Sequence, residues 1–377
     1  AYRRQRQMCI RDRYNIERIH LILSYLKEII TVAFAFVGVV VGAGFATGQE
    51  IFQFFTSNGG YSVWGILITG ALVTLGGIFV MYTGYHLKAN SHSESIQYYL
   101  KPGIAKVFDL VLTLFLLALA MIMTAGGAST IHESFGVPYW LSSLILIIAI
   151  LLTLCLKFDR LISVLGIVTP FLVIIVAIIA FYYFTTADLS FDEAKAYANA
   201  HHTDSNWWLD ALNYASLQIA AAFSFLSVMG GRIHKVQSTI WGGLLGGLII
   251  TFLLLVLNLG MVTEFKSIVD VSLPSLLLAN RISPILGAAM SLVMVLVIYN
   301  TVVGLMYTFA SRFTTPYSKR YYRLLLIISL ITFATTFIGF ISLIGKVFPV
   351  MGIFGFILLI PILWKGFTQK PSRHSQS

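Results

Sequence analysis

The sequence predicts an all-α membrane protein of about ten transmembrane helices, set as two five-helix halves of opposite topology, each opening on a broken helix. Three observations carry that prediction. Of 377 residues, 58% are hydrophobic and only 11% charged, whereas a soluble domain carries about 25% charged residues. The apolar runs are far longer than the roughly ten residues that a membrane β-strand needs. The first of them, Glu28 to Phe55, is interrupted by glycine near its middle.

That first run starts as an ordinary apolar helix, Ile29 to Val41. It loses helix propensity at Gly42-Ala43-Gly44, because glycine is about 1 kcal/mol worse than alanine in a helix interior. It resumes with Thr47, Gln49 and Glu50 among apolar neighbours. The first part alone falls short of the roughly 20 residues that cross a hydrocarbon core. Irregular backbone at membrane depth persists only where protein or a polar cavity satisfies its N–H and C=O groups. A Gly-rich interruption there points to a solute site. The restarted half-helix is expected to turn its N-terminal amides toward the midplane, an end suited to a carboxylate.

Nine apolar runs follow: Tyr61–Leu87, Ile104–Ser129, Tyr139–Phe158, Leu161–Thr185, Trp208–Gly231, Val236–Val262, Pro284–Phe313, Tyr321–Phe340 and Leu343–Trp364. The longest polar connection separates the fifth from the sixth. The chain therefore divides into residues 28–185 and 208–364, joined by 186–207 and flanked by segments 1–27 and 365–377. Residues 1–15 fit none of this and read either as extraneous sequence or as a basic cytoplasmic tail. Twenty-one of the 25 lysines and arginines fall on one side of this topology. Lys195, Lys266, Arg281 and Lys346 fall on the other. Positive charge marks the cytoplasmic side, so both termini are expected inside. Trp207 and Trp208 outside, with Tyr321 and Tyr322 inside, suit interfacial belts. The formal charge of +10 is thus topological and does not indicate nucleic acid. Two cysteines, Cys9 and Cys155, imply neither a disulfide framework nor a thiolate metal site.

Span six, as the inverted counterpart of span one, is expected to break at Phe223-Ser224-Phe225 and Ser227, before Gly230-Gly231. The expected substrate-binding set is Gly42, Ala43, Gly44, Phe45, Thr47, Gln49 and Glu50 from span one, with Ser224, Phe225 and Ser227 from span six. The glycines have a packing alternative, since small residues line membrane helix interfaces. Gly242, Gly243, Gly246 and Gly247 read that way. Glu50 is an ionisable group within a span, hence a functional candidate: a proton carrier, a counter-ion for an amine or a gate, against the alternative of an interfacial carboxylate in water. Asp210 reads as a helix N-terminal charge and Asp109 as an interface residue. His201-His202 lacks a third metal ligand. Pro170 and Pro349 are expected to kink their helices. No Ser-His-Asp set, HExxH or phosphate loop occurs, which counts against an enzyme.

The ten runs and the interrupted first helix resemble the LeuT-like five-plus-five inverted repeat of the amino acid–polyamine–organocation superfamily. Val41-Gly42-Ala43-Gly44-Phe45, with Asn58-Gly59-Gly60 beyond it, is similar to a pattern of neurotransmitter:sodium symporters, although the Arg-Phe-Pro that follows the break in that family is absent. The stretch VGAGFATGQEIFQFF looks more like the YkvI-like family of bacterial membrane proteins. The resemblance implies a sodium site shared between span-eight hydroxyls and carbonyls of unwound span one. Here that would be Thr301, with neighbouring Asn300 and the carbonyls of Val40 and Val41; the alternative is an interhelical hydrogen bond. The expectation is a multi-pass protein of the cell membrane that carries a small amino-acid-like or amine-bearing solute by alternating access. Coupling is to Na⁺ or H⁺, with no other cofactor, and the partners are the solute and lipid. The alternative is a solute sensor or channel of the same fold. The sequence assigns no oligomeric state.

Overall fold

The computed structural model describes residues 23–89, 92–155, 171–179, 181–183, 185–186, 206–269, 271–315 and 317–369. The segment 1–15, the basic pair Lys157 and Arg160, Pro170, His201 and His202, and Lys370 and Arg373 lie outside the described residues.

Every regular element among the described residues is helical. In chain order they are α1 (Leu23–Val40), α2 (Ala43–Thr47), α3 (Gln49–Phe54), α4 (Ser62–Leu87), α5 (His92–Tyr99), α6 (Pro102–Phe135), α7 (Tyr139–Leu154), α8 (Phe171–Tyr183), α9 (Trp207–Arg232), α10 (Val236–Thr263), α11 (Phe265–Ile268), α12 (Pro274–Ile282), α13 (Pro284–Phe313), α14 (Lys319–Thr336) and α15 (Phe340–Thr368). A tight 3₁₀ turn, Thr56–Tyr61, leads from α3 into α4. Among the described residues seven helices are long and apolar enough to cross a membrane: α1, α4 with its 3₁₀ turn, α6, α9, α10, α13 and α15. α7 and α8 are shorter apolar helices at the positions of spans four and five. α14, at the position of span nine, opens on Lys319-Arg320. α15 runs through Pro349, where a kink was expected, without losing its helical assignment.

Outward faces are apolar, with Trp64, Leu152, Phe252, Ile285 and Ile360 all exposed. Large bare apolar surface is unfavourable in water and suits lipid. This is a multi-pass membrane protein.

Close helix contacts are made through glycine. α4 packs on both α9 and α10, and α9 packs on α15. A Cβ on Gly230 would stand 2.2 Å from Met81 O, and one on Gly84 would stand 2.1 Å from Ser227 O. On α10, Gly242 and Gly246 face Val32 and Phe36 of α1, while Gly243 and Gly247 face Ile78 and Thr74 of α4. These four therefore serve packing, as expected. Gly230→Val is expected to push α4 and α9 apart and destabilise the fold by about 1–3 kcal/mol, the usual scale of overpacking. A melting temperature in detergent equal to wild type would refute it.

The same packing corrects the reading of span six. α9 runs unbroken from Trp207 to Arg232. Ser227 donates no flexibility; its Oγ lies 2.5 Å from Ser95 Oγ of α5. Gly231, at the supposed break, abuts Ala89 O. The small residues there accommodate neighbouring helices, so the paired breaks expected of inverted halves are present in one half and absent from the other.

Candidate functional site

The interruption in span one is real and has two stages. α1 ends with Val41 N donating to Val37 O at 2.7 Å, and Gly42 N donates to Val40 O at 2.9 Å. Gly42 itself is extended, at φ −94° and ψ −163°, a conformation open to any residue. The second stage is Gly48, at φ +80° and ψ −10°. Glycine is required there on two counts. The left-handed region is costly for other residues, and a Cβ would sit 2.4 Å from both Met261 Cε and Ser275 Oγ. Thr47 Oγ1 donates to Gly44 O at 2.8 Å and closes the short turn between the two glycines. The single restarted half-helix expected from the sequence is therefore two pieces of five and six residues. Neither is long enough to present an electropositive end, and that expectation is withdrawn.

Glu50 sits in the second piece and is only 6% exposed. Its Oε2 accepts from the Tyr214 hydroxyl and from Gln218 Nε2, each at 3.3 Å. Both donors come from α9, four residues apart and so on one helix face. Tyr214 is in turn fixed by Phe54 and Phe55, with ring centroids at 5.3 and 5.1 Å. The other carboxylate oxygen lies over Gly44: a Cβ on that glycine would be 1.5 Å from Oε1. Gly44 thus leaves room for the carboxylate, a role distinct from contact with a ligand through bare backbone. Gly42 faces open space, with no atom within 4 Å of where its Cβ would stand.

That open space is a cavity of about 640 Å³. Val40, Gly42, Gly44, Phe45 and Glu50 line it from the interrupted span. Ser224 and Phe225 line it from the intact α9, and Thr301 from α13. Most of the remaining wall is apolar, including Phe115, Leu119, Met123 and Met351. Other expected residues are elsewhere. Val41 is buried away from the wall, Thr47 and Gln49 are buried behind it, Ser227 is turned to α5, and Asn300 does not reach it. Ala43 opens α2, and its side chain lies outside the described residues. Gln49 Oε1 is buried without a hydrogen-bond partner among the described residues. Thr301 Oγ1 donates to Val297 O at 2.9 Å, and Thr301 borders the cavity.

The far end of the cavity is charged. Arg312 and His92 belong to its wall. Arg312 Nη1 donates to Asp109 Oδ1 and to Asp109 O, both at 3.0 Å, and to Thr113 Oγ1. Arg312 Nη2 lies 2.8 Å from His92 Nε2, which is also 3.0 Å from Asp109 Oδ1. A guanidinium can only donate, so a neutral His92 accepts from Arg312 at Nε2, whereas donation from that nitrogen to Asp109 requires it to carry a proton. Burial, and then the neighbouring Arg312 charge, hold His92 below the ordinary histidine range. α5 thereby ties α6 and α13, through His92, to α9, through Ser95, and to α4, where Tyr99 OH is 2.6 Å from Thr83 Oγ1. Sequence alone did not single out Tyr214, Gln218, His92 or Arg312. The i, i+4 pair Tyr214 and Gln218 in an apolar helix was the available signal for the first two.

No family model matches the sequence. The chain is 26% identical over 352 residues to the uncharacterized membrane protein YkvI of Bacillus subtilis (strain 168), an alignment covering 91% of this chain and 96% of YkvI. It is 25% identical over 329 residues to YyaD of the same organism, covering 86% and 93%. The resemblance to the YkvI-like proteins thus extends over nearly the whole chain. Among solved structures, a mutant of the manganese transporter of Eremococcus coleocola superposes with a TM-score of 0.57 at 13% identity, over 90% of this chain and 78% of that one. A Na⁺-coupled sialic acid symporter in a substrate-bound outward-open state superposes with a TM-score of 0.56 at 12% identity, over 92% and 86%. The chain shares its fold with these two membrane transporters.

Proposed function

We propose that the protein is a secondary transporter that moves a small amine-bearing or amino-acid-like solute across the cell membrane by alternating access, coupled to Na⁺ or H⁺. One observation carries this reading: the interrupted first helix, a buried carboxylate and a cavity of about 640 Å³ coincide. That volume suits a small solute. An apolar chamber with one carboxylate suits a cation with an apolar body, since a buried charge is tolerable only when paired. The Glu50 carboxylate is the counter-ion for the solute amine, Phe45 and Phe225 flank the solute body, and Gln218 and Ser224 supply neutral hydrogen bonds. Residues 28–185 and 208–364 form the two LeuT-like halves around the connection 186–207. Both termini face the cytoplasm, so the Arg312 end of the cavity opens inward. The fold shared with a manganese transporter and a sialic acid symporter supports a solute carrier.

Sodium, where it couples, is held by Thr301 Oγ1 with the carbonyls of Val40 and Val41. Oxygen ligands suit a hard cation, and Val40 and Thr301 share the cavity wall. Thr301→Val removes one oxygen at nearly constant volume. Under Na⁺ coupling it is expected to raise the Na⁺ concentration for half-maximal uptake about tenfold, the cost of one weakened ligand at roughly 1.4 kcal/mol. An unchanged Na⁺ dependence in the variant would move the site elsewhere.

Solute counterflow in proteoliposomes, screened with aliphatic and aromatic amines and amino acids, tests the reading. Saturable exchange of a labelled amine is expected. A solute that raises the melting temperature of the detergent-solubilised protein yet shows no counterflow would make the protein a sensor and overturn transport.

A further inference from the structure

The Glu50 carboxylate carries a consequence beyond carriage itself, resting on the transporter reading above. Its Oε2 is occupied by two neutral donors, Tyr214 and Gln218, at 3.3 Å. Its Oε1 lies over Gly44 in the cavity wall. Tyr214 is the titratable group in contact with the carboxylate, and no cation acts on it among the described residues. The other ionisable groups of the cavity wall are His92 and Arg312. Arg312 is committed to Asp109 and lies eleven residues along α13 from Thr301, about 16 Å at helical rise. Its donors are taken by Asp109 and Thr113, so the carboxylate of an amino acid would have to displace that pairing to use it.

Two long neutral hydrogen bonds do not compensate a bare carboxylate in an apolar chamber. When both ends of the cavity are closed, as alternating access requires, Oε1 must hold either a proton or a cation. The same oxygen cannot hold both. We infer that the protein is a proton–amine exchanger: Glu50 crosses the membrane either protonated or paired with the ammonium or guanidinium group of a solute with an apolar body, and never empty. The cycle balances. A cation enters from one side and displaces the Glu50 proton to that side, the loaded carboxylate turns over, and the cation leaves as a proton from the opposite side replaces it. One monovalent cation moves against one proton, so the exchange is electroneutral. An amino acid zwitterion is a poor solute, because its carboxylate meets only neutral groups beside Glu50 while Arg312 is held by Asp109.

The test uses phenethylguanidinium, whose permanent charge keeps it from crossing a bilayer unaided, and liposomes holding the full chain and a trapped pH dye. An acid-inside gradient is expected to raise its uptake at least tenfold over symmetric pH, without Na⁺ and without change when the membrane potential is clamped. External probe should make the lumen more alkaline. In detergent, protons should compete with the probe, so its affinity falls as the pH is lowered. Glu50→Gln should lose both uptake and competition, with its melting temperature near wild type, and Glu50→Asp should regain part of each. Uptake driven by acid outside, or by a Na⁺ gradient alone, would overturn exchange while leaving a transporter. The same holds if phenylalanine is carried better than the probe. Absence of counterflow for every solute would overturn the transporter reading and exchange together.

Discussion

Gly42→Leu is expected to abolish solute uptake in protein that still folds and reaches the membrane, while Gly42→Ala stays close to wild type. Gly42 is extended, with no atom near its missing Cβ, and it faces the cavity. Alanine meets no obstacle there, and leucine fills the cavity space proposed for the solute. Gly44→Ala is expected to behave differently from Gly42→Ala, although the two substitutions are chemically the same. Its Cβ would collide with Glu50 Oε1 at 1.5 Å and Cδ at 2.3 Å. The obstacle is the end of a flexible side chain, so the carboxylate moves and the backbone holds. Displacement breaks two hydrogen bonds to a charged group, each worth about 1.5–3 kcal/mol. A loss of solute affinity of at least tenfold is expected at Gly44, with little change at Gly42→Ala. The check is solute affinity by scintillation proximity and folding by size-exclusion profile. Equal effects of the two alanines would show that neither glycine works through its side-chain space.

The interruption in span one was legible because it is a local property. Glycines in an apolar run and polar residues behind them weaken a helix whatever surrounds it. Its second stage was hidden, because the requirement for glycine at Gly48 comes from Met261 and Ser275, more than 200 positions along the chain. Span six shows the reverse error. Ser227, Gly230 and Gly231 look like a helix weakening locally. Tertiary context turns the same residues into a packing surface against α4 and α5, where small side chains let backbones approach closely. Symmetry between halves was a poor guide for the same reason: each half packs against different neighbours.

The site followed a similar division. Glu50 was conspicuous as a carboxylate inside a span. The partners that give it chemistry were not. Tyr214 and Gln218 lie on a helix face whose direction depends on how α9 is rotated, a quantity set by packing on α4 and α15. Thr47 and Gln49 flank Glu50 in sequence, yet a short helical turn points neighbouring residues in different directions, and both are buried behind the wall. Arg312 and Asp109 were read as topological charge and interface charge. Their pairing links positions 203 residues apart, and no spacing rule reaches that far.

Arg312→Ala is expected to destabilise the fold by about 1–3 kcal/mol, because Asp109 and Thr113 lose their shared donor. The figure is at the lower end for a broken ion pair, since Asp109 is 46% exposed while Arg312 is 14% exposed. The same network sets a pH dependence. His92 is neutral in the fold, accepting from Arg312, and burial and Arg312 depress its titration. An unfolded histidine titrates near 6.5, so between the two values the unfolded chain binds the extra proton. Stability therefore rises with pH through that window, is complete above the ordinary histidine value, and is lost progressively as the pH falls below it toward the depressed one. Protonated His92 would donate Nε2–H to Asp109 and repel Arg312, loosening the tie that α5 makes between α13 and α6. His92→Gln can accept from Arg312 and donate to Asp109 at once, with no proton to gain. It is expected to keep the wild-type melting temperature at pH 8 and to flatten its decline between pH 7 and pH 5. Melting curves of wild type, His92→Gln and Arg312→Ala at four pH values decide the matter. An undiminished slope in His92→Gln would assign the pH dependence to another group.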